Sequence, residues 1–165
     1  MEYSRAKQEF IQAWGTLGTS WGINKAMAQI HALLLISTEP LSAEEVMSEL
    51  QISRGNVNMN LRALMDWGIV KKEHKTGERK EYFIAGKDIW QLARQISKER
   101  RRREIDPIIR MLSEVQGATG DDKKAVAEFK KVTNELHDFT SKVDNVLDKF
   151  GKSDQNWFYK LLLKF

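Results

Sequence analysis

The stretch Ser53-Arg-Gly-Asn-Val-Asn-Met-Asn-Leu-Arg62 carries side chains well suited to chemistry on a partner. An Asn amide donates and accepts at once, which matches the major-groove edge of adenine, and an Arg guanidinium can donate twice to guanine. If Val57, Leu61 and Leu64, spaced 4 and 3, face a core, the helical step of about 100° turns Gly55, Asn56, Met59 and Arg62 outward, with Asn58 on one flank. Arg54 falls in the first turn, where a helix lying in the groove meets base edges. Met59 can touch a thymine methyl, Gly55 lets the backbone come close, and Arg62 is placed for a phosphate. Ser53 can cap the helix, whose free N–H groups attract a phosphate. Three Asn within five residues are a poor choice for a plain solvent face, because Asn is a weak helix former.

A second set of groups follows. Lys71, Lys72, Lys75, Arg79 and Lys80 surround Thr76-Gly77. A hairpin with Thr76 and Gly77 at its tip would bring Lys75 and Arg79 to phosphates or into the minor groove. The bland alternative is a set of charges kept for solubility. The chain is only +4 overall, but Arg54 to Arg110 holds 15 Lys/Arg against 8 Asp/Glu, so the rest nets −3. A basic centre of this kind suits a phosphate backbone.

Other chemistries are poorly served. There is no Cys, which excludes disulfides, a Cys-based zinc site and a Cys nucleophile. His31, His74 and His137 are scattered without a ligand-like i, i+4 partner. No phosphate-binding glycine loop, GxSxG elbow or dinucleotide fingerprint occurs. Asp121-Asp122 and Glu44-Glu45 read as helix-start acids. The chain is therefore expected to be no enzyme and to need no cofactor or metal. The longest apolar run, Ala32 to Ile36, is far short of the ~20 residues that span a bilayer. Glu2, Arg5, Lys7 and Glu9 interrupt any leader-like segment. A cytoplasmic protein with no membrane partner is expected.

The elements that must position these groups are legible from period and punctuation. Phe10, Trp14, Leu17 and Trp21 form one helical stripe from about Tyr3 to Trp21, weakened by Gly15, Gly18 and Gly22. A second helix runs from about Asn24 to Ser37, and Thr38 to Leu41 is a break. Ser42-Ala-Glu-Glu45 is a capping box opening a helix with Val46, Met47 and Leu50 on its apolar face. Gln51-Ile52-Ser53 can only be a tight turn, and the Asn-rich helix then runs to about Trp67, with Gly68 as its stop. Ile69–His74 and Lys80–Ala85 read as strands flanking the turn Lys75–Arg79. Helix is expected from Gly86 to about Val115, with Ile89, Leu92, Ala93 and Ile96 as its stripe and Asp106-Pro107 kinking it or starting a new helix. From Asp121 to Phe150, Ala125, Phe129, Val132, Leu136, Phe139, Val143, Val146 and Phe150 form an unbroken heptad seam. Gly151 to Asp154 breaks it, and Gln155 to Phe165 reads as a last helix bearing Trp157, Phe158, Leu161, Leu162 and Phe165.

The expected fold is mainly α with a small β-hairpin wing: a winged helix-turn-helix domain plus a helical dimerisation region. The expected divisions are an N-terminal, dimerising helix at 1–22, the winged domain at 23–86 and a helical dimerisation region at 87–165. Phe129, Val132, Leu136, Phe139, Val143, Val146 and Phe150 would form the dimer seam, although they could instead pack within one chain.

From Trp21 to Glu81-Tyr-Phe the chain resembles the GbsR/MarR-type winged-helix transcriptional regulators of bacteria and archaea. The likeness rests on Pro40-Leu-Ser42, Ile52-Ser-Arg-Gly-Asn-Val57, Met59-Asn-Leu-Arg62, Leu64-x-x-Trp-Gly-Ile-Val-Lys71 and Gly77-x-Arg-Lys-x-Tyr82. Arg103-Glu-Ile-Asp-Pro107 extends it, so that it covers roughly residues 20 to 115. The resemblance implies a homodimer, double-stranded DNA as partner, a palindromic operator and often a small effector. In one branch of that family the effector is choline, but the N- and C-terminal regions here match no ligand motif. An aromatic cage for a quaternary ammonium could use Trp14 and Trp21, which otherwise read as core or interface anchors. Two other functions fit the same pattern: a protein-interaction module, and a DNA-associated factor without sequence preference.

Overall fold

The computed structural model describes residues 1–153. The expected last helix, with Trp157, Phe158, Leu161, Leu162 and Phe165, lies outside the described residues. The elements run α1 (Tyr3–Ser20), α2 (Lys25–Ile36), β1 (Leu41–Ser42), α3 (Ala43–Leu50), α4 (Arg54–Asp66), β2 (Val70–His74), β3 (Glu81–Ala85), α5 (Ile89–Arg100), a π-helical turn (Arg101–Ile105), α6 (Asp106–Val115) and α7 (Lys123–Lys152). The chain forms two compact units, Met1–Leu92 and Ala93–Phe165. No helix of the described residues is long and apolar enough to cross a membrane.

In the first unit α2 is the central helix. Asn24 caps it by accepting from the Ala26 and Met27 amides, and Met27, Ile30, Leu33 and Leu34 are buried against Val46, Val57, Leu61, Leu64, Val70 and Phe83. α1 packs along α2, but only Phe10 and Trp14 of the stripe expected of it lie against the core. Its buried residues are Ile11, Gly15 and Gly18, while Phe10 and Trp14 are half-buried and Leu17 and Trp21 exposed. The cause is close approach: a Cβ added at Gly18 would stand 2.5 Å from the Ala28 Cβ, and one at Gly15 2.7 Å from the Gln29 side chain. The glycines expected to weaken α1 are the surface that docks it.

Three strands form an antiparallel sheet in the order β1-β3-β2. The hairpin register pairs Val70 with Ala85 and His74 with Glu81. β1 falls where a plain break is expected. Leu41 and Ser42 pair with Phe83 and Tyr82, which gives the extended chain before α3 hydrogen-bond partners on the sheet.

In the second unit, α5 from Ala93 onward, the π-turn and α6 form one continuous helical path. Asp88 starts α5 by accepting from the Gln91 amide. Asp106 does not cap a new helix. Its N–H bonds the Arg101 carbonyl across the wide turn, and Pro107 follows at the start of α6. A proline ring collides with the carbonyl four residues back and lacks a donor; one wider turn absorbs both faults without breaking the path. α7 is capped by Asp122, which accepts from the Lys124 and Ala125 amides, and it runs through Gly151 to Lys152, past the expected stop. Arg101 clasps α7: its guanidinium bonds both carboxylate oxygens of Asp144, at 2.5 and 2.9 Å, and Asp148 at 2.5 Å. Arg102 and Arg103 reach the buried carboxylate of Glu99. Part of the basic centre is therefore engaged in ion pairs within this unit, although Arg102 and Arg103 stay exposed.

Candidate nucleic-acid interface

The helix-turn-helix is built from two caps and one left-handed residue. Ser42 accepts from the Glu45 amide while Glu45 Oε2 accepts from the Ser42 N–H at 2.7 Å and its hydroxyl at 2.8 Å, which completes the capping box. These bonds hold the Glu45 carboxyl below its usual range. α3 ends at Gln51, whose φ of 53° turns the chain sharply; Ile52 follows, half-buried against the core. Ser53 then caps α4, its Oγ accepting from the Asn56 N–H at 3.3 Å.

Val57, Leu61 and Leu64 face the core, as their spacing implies. Arg54, Gly55, Asn58, Met59 and Arg62 are exposed, and Met59 is 58% exposed. A thioether left this open on a well-packed domain is available to a partner. Nothing stands within 4 Å of a Cβ built on Gly55, so an approaching surface meets bare backbone there. The three asparagines have three different environments. Asn58, expected on a flank, is exposed, while Asn56, expected to face outward, is half-buried at the edge of the face. Asn60 lies inward, 3% exposed, with its amide bonded to Asn56. The helical step already separates them, because positions 56 and 60 lie on one side of the buried stripe and 58 on the other. Arg54 lies 3.5 Å from Glu44 of α3.

The hairpin carries the second set. Every residue from Lys71 to Glu81 is exposed. Gly77 has φ 85°, which a turn at the tip requires of a glycine. Lys75 Nζ lies 4.2 Å from the centre of the Tyr82 ring, and the Tyr82 hydroxyl donates to Glu78. That bond to a carboxylate pushes the Tyr82 phenol up to about 12. Lys72 pairs with Glu81 at 2.6 Å, while Thr76 and Arg79 are exposed. Tyr82 is the residue that sequence reasoning misses here. Its alternation marks it only as inward-facing, yet it organises both ends of the tip.

The remaining candidates are dispersed. Trp14 is half-buried, its ring 5.6 Å from Phe10 and 6.3 Å from His31, whereas Trp21 caps the C-terminus of α1 at 54% exposure. His31 is buried in α2, His74 ends β2 and His137 lies on α7 beside Ser113. On α7, Phe129, Val132, Leu136, Phe139 and Val146 are exposed large apolar side chains, Phe139 at 65%, while Val143 and Phe150 are half-buried.

A capped helix, a three-residue turn, an exposed Arg/Asn/Met helix and a basic hairpin define the first unit as a winged helix-turn-helix. Comparison with known proteins agrees. Residues 17–86 match the family model described as "Sugar-specific transcriptional regulator TrmB". The chain is similar to the HTH-type transcriptional repressor GbsR of Bacillus subtilis (strain 168), 25% identical over 96 residues, or 58% of this chain and 53% of that one. It thus spans about half the length of that curated relative. A solved crystal structure of a transcriptional regulator shares the fold, with a TM-score of 0.68 at 21% identity over 89% of this chain and 97% of that one. The part of the GbsR-type resemblance read from Trp21 to Phe83 falls within the matched residues, its extension at Arg103–Pro107 lies beyond them, and the mainly helical fold with a small antiparallel sheet is the one expected.

Proposed function

We propose that this chain is a sequence-specific DNA-binding transcriptional regulator that acts as a MarR-like homodimer on a palindromic operator. The observation that carries this reading is the outer face of α4, where Arg54, Gly55, Asn58, Met59 and Arg62 are exposed next to a hairpin whose basic residues serve no core. The similarity to a repressor supports it. Asn56 and Arg54 would read bases, Ser53 and Arg62 would meet phosphates, and Lys75, Thr76, Gly77 and Arg79 would follow the backbone or minor groove.

The homodimer rests on α7. Exposed large apolar residues recur there at heptad spacing, and a second copy of the same seam is the partner that such a repeat fits best. Work in the cytoplasm and response to a small effector complete the proposal, with Trp14 and Trp21 as the residues to test for an aromatic site. Titration with choline or betaine should shift tryptophan fluorescence or melting temperature if they form one.

Selection of bound duplexes from a random pool, combined with sedimentation, tests the main reading. A two-fold symmetric site with half-sites about 10 bp apart and a dimer at micromolar concentration are expected. A selected pool without any preference would favour a non-specific DNA-associated factor. No binding to any duplex at low salt would favour a protein-interaction module.

A further inference from the structure

Asn60 carries a primary amide among the buried residues of α4. Its Nδ2 donates to the Asn56 backbone carbonyl at 2.9 Å and to the Asn56 Oδ1 at 2.6 Å. A backbone carbonyl can only accept, so it settles which end of the Asn60 amide is nitrogen. That nitrogen can only donate, so the Asn56 atom facing it must be oxygen. One carbonyl therefore orients two amides that could otherwise each lie either way round.

We propose that Asn60 is a positioning residue that turns Asn56 into a one-sided reader. The Asn56 Oδ1 is held along α4 by Asn60, and its Nδ2 is left as the group for a partner. On the DNA-binding reading of α4, on which this rests, Asn56 donates to a major-groove acceptor: N7 or O6 of guanine, O4 of thymine or N7 of adenine. The two-point contact with adenine would need the same oxygen to accept from N6 as well, in competition with the bond from Asn60, and is therefore disfavoured.

The test uses the full chain and a duplex selected from a random pool. Asn56→Ala locates the base pair whose preference depends on Asn56, and base analogues then probe that pair with wild-type protein. Removing its major-groove acceptor, by a 7-deazapurine or a thymine analogue lacking O4, is expected to weaken binding about three- to tenfold, as loss of one hydrogen bond does. Removing its major-groove amino group is expected to change binding less than about twofold. In Asn60→Leu, of similar size, Asn56 is released. Adenine should gain at that position, and removal of the amino group should then weaken binding, with preferences elsewhere unchanged.

A wild-type protein that depends on the amino group would overturn the proposal, as would an Asn60→Leu protein with the wild-type analogue profile, or an Asn56→Ala protein that loses no base preference. If Asn60→Leu does not fold, the wild-type analogue profile decides alone. A wild type that prefers no duplex at all would overturn the DNA reading of α4 itself, an outcome distinct from the others.

Discussion

Arg54 Nη2 lies 3.5 Å from Glu44 Oε1, so the guanidinium at the start of α4 is tethered to the first turn of α3. Both side chains are largely exposed, at 67% and 49%, and such a pair adds little to stability. Its effect is on where Arg54 rests before DNA arrives. Arg54→Ala is expected to weaken binding to a selected operator by ~1–3 kcal/mol and to random duplex by less. Glu44→Gln frees Arg54 and removes a negative charge from the DNA side. It should strengthen binding to any duplex by less than about 1 kcal/mol, most at low salt, without moving the melting temperature. Anisotropy titrations over a salt series check both.

At the wing tip, Lys75 lies over the Tyr82 ring and Glu78 takes the Tyr82 hydroxyl proton bond. Lys75→Ala should weaken binding to every sequence alike and reduce the slope of log affinity against log salt by about 1. The phenol is raised from 10.0 to about 12, so the protonated form is the one the fold favours. Its contribution is complete below pH 10 and is lost as pH rises through about 12. An ultraviolet titration should therefore show a phenol that ionises well above the ordinary value of 10.0, and Glu78→Gln should bring it back toward that value.

Stability should fall on mild acidification because of His31. It is 3% exposed in α2, and its Nε2 has no hydrogen-bond partner among the described residues. Burial pushes the imidazole down from 6.5 to about 4, so the unfolded chain takes up a proton that the folded one refuses. Stability is full above pH 6.5 and declines as pH drops toward 4, by on the order of 3 kcal/mol for this group. His31→Leu should flatten the melting-temperature profile between pH 7 and 5.

The α7 seam separates assembly from folding. Leu136→Asp puts a carboxylate at an exposed seam position, so the monomer keeps its core while a two-copy seam has to bury a charge. Sedimentation should show a monomer at micromolar concentration with unchanged helical content. Affinity for a two-half-site duplex should then fall to that for a single half-site.

Gly18→Ala tests the α1–α2 contact. Alanine gains roughly 1 kcal/mol of helix propensity over glycine. The new Cβ, however, would meet the rigid Ala28 Cβ at 2.5 Å, and overpacking of that kind costs about 1–3 kcal/mol. A net loss in denaturant midpoint is expected, whereas Gly55→Ala, with open space around it, should gain.

The winged unit was legible because its signals are local. The Ser42/Glu45 capping box, the Ser53 cap, the Val57/Leu61/Leu64 spacing and the period-two strands each depend on a few neighbouring residues. The features that escaped depend on residues far apart in sequence. β1 exists because Phe83 and Tyr82 come alongside Leu41 and Ser42. The docking face of α1 is Gly15 and Gly18 because α2 comes close, and no amphipathic count of large residues finds it. Asn60 looks like its neighbours Asn56 and Asn58 in composition, and only its angle on the helix separates it. Within the basic centre from Arg54 to Arg110, only the fold reveals that Arg101 is paired with Asp144 and Asp148.

The wing from Lys71 to Glu81 places no side chain in the core. Apart from Gly77, whose turn needs a glycine, substitutions there can accumulate with little folding penalty, while those in α2 are constrained from every side. A lineage carrying this domain could thus drift in how tightly and how generally it holds DNA, one wing residue at a time, long before the domain that presents the wing had to change.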